Sequence, residues 1–122
     1  MNKVTVMICL LLNLLMHGNF ANAVSNSPKF IEKGVICDIY FCVNREGVSV
    51  DLTRTFLGEK KANKIAEGSE SRNRHEFTFS NGVHCKTKIK KCFTNRFYNQ
   101  KGEVDGVQRE DYTNWLFGSD MK

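Results

Sequence analysis

The chain has 122 residues, a formal net charge of +5 and five cysteines. That length holds one small domain, and an excess of five positive charges is modest for a protein that coats nucleic acid. Among chemistry-bearing words, Gly-x-Ser-x-Gly, His-Glu-x-x-His and Cys-x-x-Cys are all absent, which removes the nucleophile-elbow hydrolases, the zinc proteases and the dithiol oxidoreductases.

Residues 1–23 read as a cleaved leader. Lys3 is the positive start, Val4 to Met16 is an apolar run, and Ala21-Asn22-Ala23 is a small-residue cleavage site. The run is shorter than the ~20 residues that span a bilayer. Cleavage would leave residues 24–122 as the single folded domain. It would remove Cys9, leaving Cys37, Cys42, Cys85 and Cys92. Four cysteines in an oxidising compartment predict two disulfides. Leu, Ile, Val and Phe make up only 24 of those 99 residues, so a thin core is expected to need covalent help. The expected location is the periplasm, with release outside the cell as the variant.

Phe30-Ile31 and Val35-Ile36 flank Gly34 and open the packed region. Asn44-Arg-Glu-Gly47 is a turn. The best helix candidate is 51–67, capped by Ser49 or Asp51, with Leu52, Phe56, Ile65 and Ala66 as its apolar side and Leu57 and Ala62 beside them. Gly58 costs about 1 kcal/mol in mid-helix and predicts a break into two short helices. Gly68 is expected to close the second in the left-handed manner. Residues 69–74 form a polar loop.

Phe77 to Tyr98 is the most regular β stretch. Phe77 and Phe79 alternate with Thr78 and Ser80. Asn81-Gly82 predicts a two-residue hairpin turn in which both residues take φ > 0. Lys86 to Lys91 is a second, basic turn, and Cys92 to Tyr98 the next strand. Asp111 to Phe117 is a last helical turn. The class is therefore α+β: an antiparallel sheet of cysteine-bearing hairpins with two short helices or helix pairs, stapled by disulfides.

Two segments look alike, 34–58 and 82–118. Gly34-Val35-x-Cys37 matches Gly82-Val83-x-Cys85. Asn44-x-x-Gly47 matches Asn99-x-x-Gly102. Leu52-Thr53-x-x-x-Leu57-Gly58 matches Tyr112-Thr113-x-x-x-Phe117-Gly118. Two diverged hairpin-helix copies would pair Cys37 with Cys42 and Cys85 with Cys92. Short loops close quickly, which favours that pattern. A long bridge such as Cys37–Cys92 would stabilise more, by about 4 kcal/mol against about 2.5 for each local one, and stays open as the alternative.

The words GVICD-x-YFC, LTRTFLG, FTFSNGVHC, RFY and LFG resemble the Fels prophage protein-like family, small exported enterobacterial proteins of the YcgJ type. The similarity runs from Gly34 to Gly118. It implies export and paired cysteines, and it brings no catalytic residue, cofactor or metal ligand.

Two surfaces remain to be weighed. Lys86, Lys88, Lys90, Lys91, Arg96 and Lys101 gather around the second hairpin, with Phe93, Phe97 and Tyr98 between them. They suit either a polyanion surface or a lysine-coated edge that resists aggregation. His75, Glu76 and His84 are the candidate acid–base set of a small basic hydrolase. The expectation favours a non-enzymatic binding or accessory module of the cell envelope, its partner an envelope protein or a polyanion.

Overall fold

The computed structural model describes residues 27–68 and 73–118. The expected leader, Cys9 and residues 69–72 of the polar loop lie outside these residues. Seven short strands and three helices follow in order. They are β1 (Lys29–Glu32), β2 (Val35–Cys37), β3 (Cys42–Asn44), β4 (Gly47–Ser49), α1 (Val50–Leu57), α2 (Glu59–Glu67), β5 (Glu76–Thr78), β6 (His84–Lys86), β7 (Lys91–Phe93) and α3 (Glu110–Phe117). The strands make two antiparallel sheets, β1-β2-β3-β4 and β5-β6-β7. The chain is a small α+β fold stapled by two disulfides.

Each disulfide joins residues that face each other across a hairpin. Cys37 bonds Cys42 and Cys85 bonds Cys92, each with Cα atoms 4.0 Å apart. Directly opposed residues of an antiparallel pair lie within disulfide reach. A threonine in the fourth position of a helix then fixes each hairpin. Thr53 Oγ1 accepts the Cys42 N–H at 2.9 Å, and Thr113 Oγ1 accepts the Cys92 N–H at 3.0 Å. Both threonines are buried, so each satisfies a backbone donor that water does not reach.

The helix break falls at Gly58, whose N–H bonds back to the carbonyls of Thr53 and Arg54. Ser49 caps α1, its Oγ accepting the Leu52 N–H at 3.1 Å. The apolar side differs from the one expected for a single helix. Thr53 is the buried residue of α1, Ala62 and Ile65 those of α2, while Phe56 and Ala66 are exposed. The break resets the helical phase, so no single stripe spans 51–67. Gly68 closes α2 at φ −91°, in extended rather than left-handed backbone.

The turn after β5 is also corrected. Phe79 pairs with Val83, Gly82 N–H donates to Phe79 O at 2.9 Å, and Gly82 alone takes positive φ, at 91°. This is a three-residue loop built on a type I turn and closed by a left-handed glycine. The register therefore sets Thr78 against His84 and Phe77 against Cys85. β7 ends at Phe93 and does not reach Tyr98.

The main core gathers Ile36, Phe41, Val43, Phe77, Phe79, Val83, Leu116 and Phe117 around the Cys85–Cys92 bridge. Phe79 is its hub, with ring centroids 5.9 Å from Phe41, 5.4 Å from Phe77 and 5.5 Å from Tyr112. The Cys37–Cys42 bridge belongs to a smaller cluster with Val35, under Leu52 and Leu57.

Polar ties then lock the two sheets together. The buried Asp38 carboxylate accepts from Ser80 N at 2.8 Å and Ser80 Oγ at 2.6 Å. Trp115 Nε1 donates to Val35 O, and Gly34 N–H donates to Trp115 O, both at 3.0 Å. Val48 N–H donates to Arg74 O at 3.0 Å. That contact requires glycine beside it: Gly47 has φ 115°, and a Cβ there would overlap the Arg74 carbonyl oxygen.

Candidate functional site

The second sheet has two faces of opposite character. Phe77, Cys85 and Cys92 turn inward to the core. The alternating residues turn outward in two rows, Glu76–Lys86–Lys91 and Thr78–His84–Phe93. The β6–β7 connection adds Lys88 and Lys90. Lys90 has φ 56°, the single positive φ of a non-glycine residue among the described residues.

A long connection, 94–107, returns over this outward face. It is tied to β7 by Thr94 N–H to Val107 O at 2.8 Å and Arg109 N–H to Cys92 O at 2.7 Å. It lays Tyr98 on Lys86, whose Nζ is 4.8 Å from the ring centroid. Glu76 approaches the same ammonium at 3.5 Å. The hydrogen-bonding Tyr98 side chain, with Glu76, holds Lys86 above the ordinary lysine range against slight desolvation. Arg96 stands 5.7 Å over the ring of Phe97. Phe97 and Tyr98 remain 60% and 48% exposed, so each ring keeps an open face. Lys101 sits further along, in the turn that Asn99 closes with its side chain.

His84 is buried although it belongs to the outward face, and Thr78 Oγ1 lies 2.9 Å from its Nδ1. Burial holds its imidazole below the usual histidine range. The Glu76 carboxylate opposes that shift, and the charges of Lys86 and Arg96 add to it. The shift favours the neutral imidazole, and Glu76, Lys86 and Arg96 are its charged neighbours.

His75 precedes β5 and bonds elsewhere, its Nδ1 3.0 Å from Thr87 Oγ1. It nevertheless borders the same depression as Glu76. The three candidate acid–base groups thus have separate partners: His75 with Thr87, Glu76 with Lys86, His84 with Thr78.

Two adjoining depressions flank Glu76 and share Asn73. One, of about 340 Å³, is lined further by His75, Lys86, Lys88 and Ile89. The other, of about 360 Å³, has Phe41, Val48 and Phe77 as apolar lining and Thr78 and His84 as polar lining. Of the basic residues, Lys86 and Lys88 line the groove, Lys91 stands opposite Lys86 on β7, Arg96 lies over Phe97, and Lys101 is set apart. All four described cysteines are in disulfides, so none is a thiolate for a metal.

Sequence reasoning missed Thr78 and Asn73. Thr78 was within reach. A two-residue turn at Asn81-Gly82 would set Phe79 against His84, whereas the three-residue turn sets Thr78 there. One residue of register decides which neighbour His84 meets.

A family model described as "YcgJ protein" matches residues 28–117. The chain is similar to a curated relative, "Uncharacterized protein YcgJ" of Escherichia coli (strain K12). The identity is 42% over 84 residues, covering 69% of this chain and 68% of the relative. No solved structure matches the chain. The described residues hold no helix long and apolar enough to cross a membrane. With the family match running from before β1 to the last residue of α3, the chain belongs to the YcgJ family.

Proposed function

We propose that this protein is an exported, non-enzymatic binding module of the cell envelope, held in the periplasm and presenting the outward face of its second sheet to an anionic partner. The observation that carries this reading is the division of labour on that sheet. Its inner face is core and disulfide, and its outer face is cation and open aromatic ring. Lys86 and Lys91 oppose each other across β6 and β7, and like charges in that position repel. A bound anion relieves that repulsion.

Export is supported by the leader pattern of residues 1–23 and by two buried disulfides, which persist in oxidising compartments. A non-enzymatic role is supported by the engagement of His75, Glu76 and His84 with three different partners, in place of one aligned acid–base set.

Expression of the whole chain in a Gram-negative host tests the reading. The expected product is periplasmic, begins at Val24 and carries no free thiol. It is retained on heparin at low salt and hydrolyses no nucleic acid, glycan or peptide. A cytosolic, uncleaved, reduced product would sink the export reading. Turnover abolished by His75→Ala and His84→Ala would replace the binding module with the hydrolase.

A further inference from the structure

We infer that the groove around Glu76 is a binding site for an acidic saccharide, with the sugar's acidic group held by Lys86 and Lys88. This rests on the binding-module reading above and names the class of ligand. The cations alone would suit any polyanion. Three further observations narrow the choice.

First, the groove has a carboxylate at its centre. Glu76 borders both depressions. A nucleic acid strand carries a phosphate on every nucleotide and meets that carboxylate with repulsion wherever it lies in the groove. A saccharide spaces its acidic groups among hydroxyls. One acidic group can sit on the lysines while a neighbouring hydroxyl donates to Glu76, a charge-assisted hydrogen bond.

Second, three of the other polar groups are two-sided. Asn73 supplies an amide, and Thr78 and His84 a hydroxyl and an imidazole that already bond each other. Each can donate or accept, which suits hydroxyls that do both. A site built for phosphate alone has no use for three such groups beside its cations.

Third, the groove has an apolar side beside its polar one. Phe41, Val48 and Phe77 give the second depression an apolar lining against which the C–H groups of a pyranose ring can lie while its acidic substituent reaches the lysines of the first. Depressions of about 340 and 360 Å³ each take one sugar unit.

The test uses the mature oxidised protein and three probes: a polygalacturonate hexamer, a heparin hexasaccharide and a dodecathymidylate strand. Titration calorimetry at low salt should show both saccharides binding at least tenfold tighter than the oligonucleotide. Lys86→Gln with Lys88→Gln should weaken saccharide binding at least tenfold. Glu76→Gln separates the classes: it should weaken the saccharides and strengthen the oligonucleotide. Unchanged near-ultraviolet dichroism confirms that each variant is folded.

Equal or tighter binding of the oligonucleotide would overturn the saccharide assignment and leave the binding module standing. No binding of any probe, with an envelope protein captured instead, would have the same consequence. Saccharide recovered shortened would mean the ligand class is right and the non-enzymatic reading wrong.

Discussion

The two cysteine hairpins share one plan until the residue after the second cysteine, and there they part. β1, β2 and β3 correspond to β5, β6 and β7, and α1 corresponds to α3. In both halves the helix sends a threonine hydroxyl back to the second cysteine's N–H. In the first half Val43 pairs with Val48 after the short turn 44–47. In the second half Phe93 pairs with Gln108 only after the connection 94–107, ten residues longer. That extra length carries Arg96, Phe97, Tyr98 and Lys101. The shorter half ends in a tight turn, and the longer half carries cations and exposed aromatic rings on the same plan. Tolerance of such length is physically cheap, since closing a longer loop costs little more entropy than closing a short one.

The comparison can be broken most forcefully at the disulfides. Cys85 and Cys92 lie in the main core, whereas Cys37 and Cys42 lie in the smaller cluster. Each bridge contributes about 2.5 kcal/mol by restricting the unfolded chain. Serine pairs add the cost of hydroxyls in dry surroundings, about 1–3 kcal/mol. Cys85→Ser with Cys92→Ser should therefore cost about 3.5–5.5 kcal/mol, and the Cys37, Cys42 counterpart less, by urea melts. Equal losses would mean that the two halves are energetically alike. Next are the threonines. Thr53→Val and Thr113→Val each leave a buried cysteine N–H unpaired, for a loss of about 1–3 kcal/mol. A neutral result at either would show that its half is not held by its helix.

Smaller effects sharpen the contrast. In the second half Lys90 occupies left-handed backbone, which costs a side chain about 1–2 kcal/mol. Lys90→Gly should raise stability by up to about 1 kcal/mol, read as a higher melting temperature. The smallest effect is the pH response of His84. Its folded pKa lies below the unfolded value of 6.5, so between the two the unfolded chain binds the extra proton. The stability is whole above about pH 6.5 and is lost as pH falls towards the folded pKa. Glu76 opposes that loss and Lys86 and Arg96 enlarge it. His84→Gln should flatten the slope of stability against pH in this window. An unchanged slope would mean that His84 does not set it.

Local rules were legible in the sequence and register was not. The Gly58 break, the cap at Ser49 and the β-rich stretch from Phe77 follow from propensity and turn chemistry acting over a few residues. The match of Asn44-x-x-Gly47 with Asn99-x-x-Gly102 misaligned the halves. Both asparagines close a turn by accepting the N–H two residues on. Asn99, however, lies inside the extra connection, and the true counterpart of 44–47 is 94–107. The same turn chemistry arose at two unrelated places. The lysines around the groove were visible as a run of charge. That Tyr98 would fold onto Lys86, and that Asp38 would reach Ser80 from 42 residues away, are tertiary facts with no local signature.

Trp115 makes the last helix a cover for the first sheet, through bonds at Val35 and Gly34 that close a span of about eighty residues. A ribosome delivers that cover only when the chain is almost finished. A chain that stops anywhere before Trp115 therefore lacks both bonds and leaves that part of β2 without its cover.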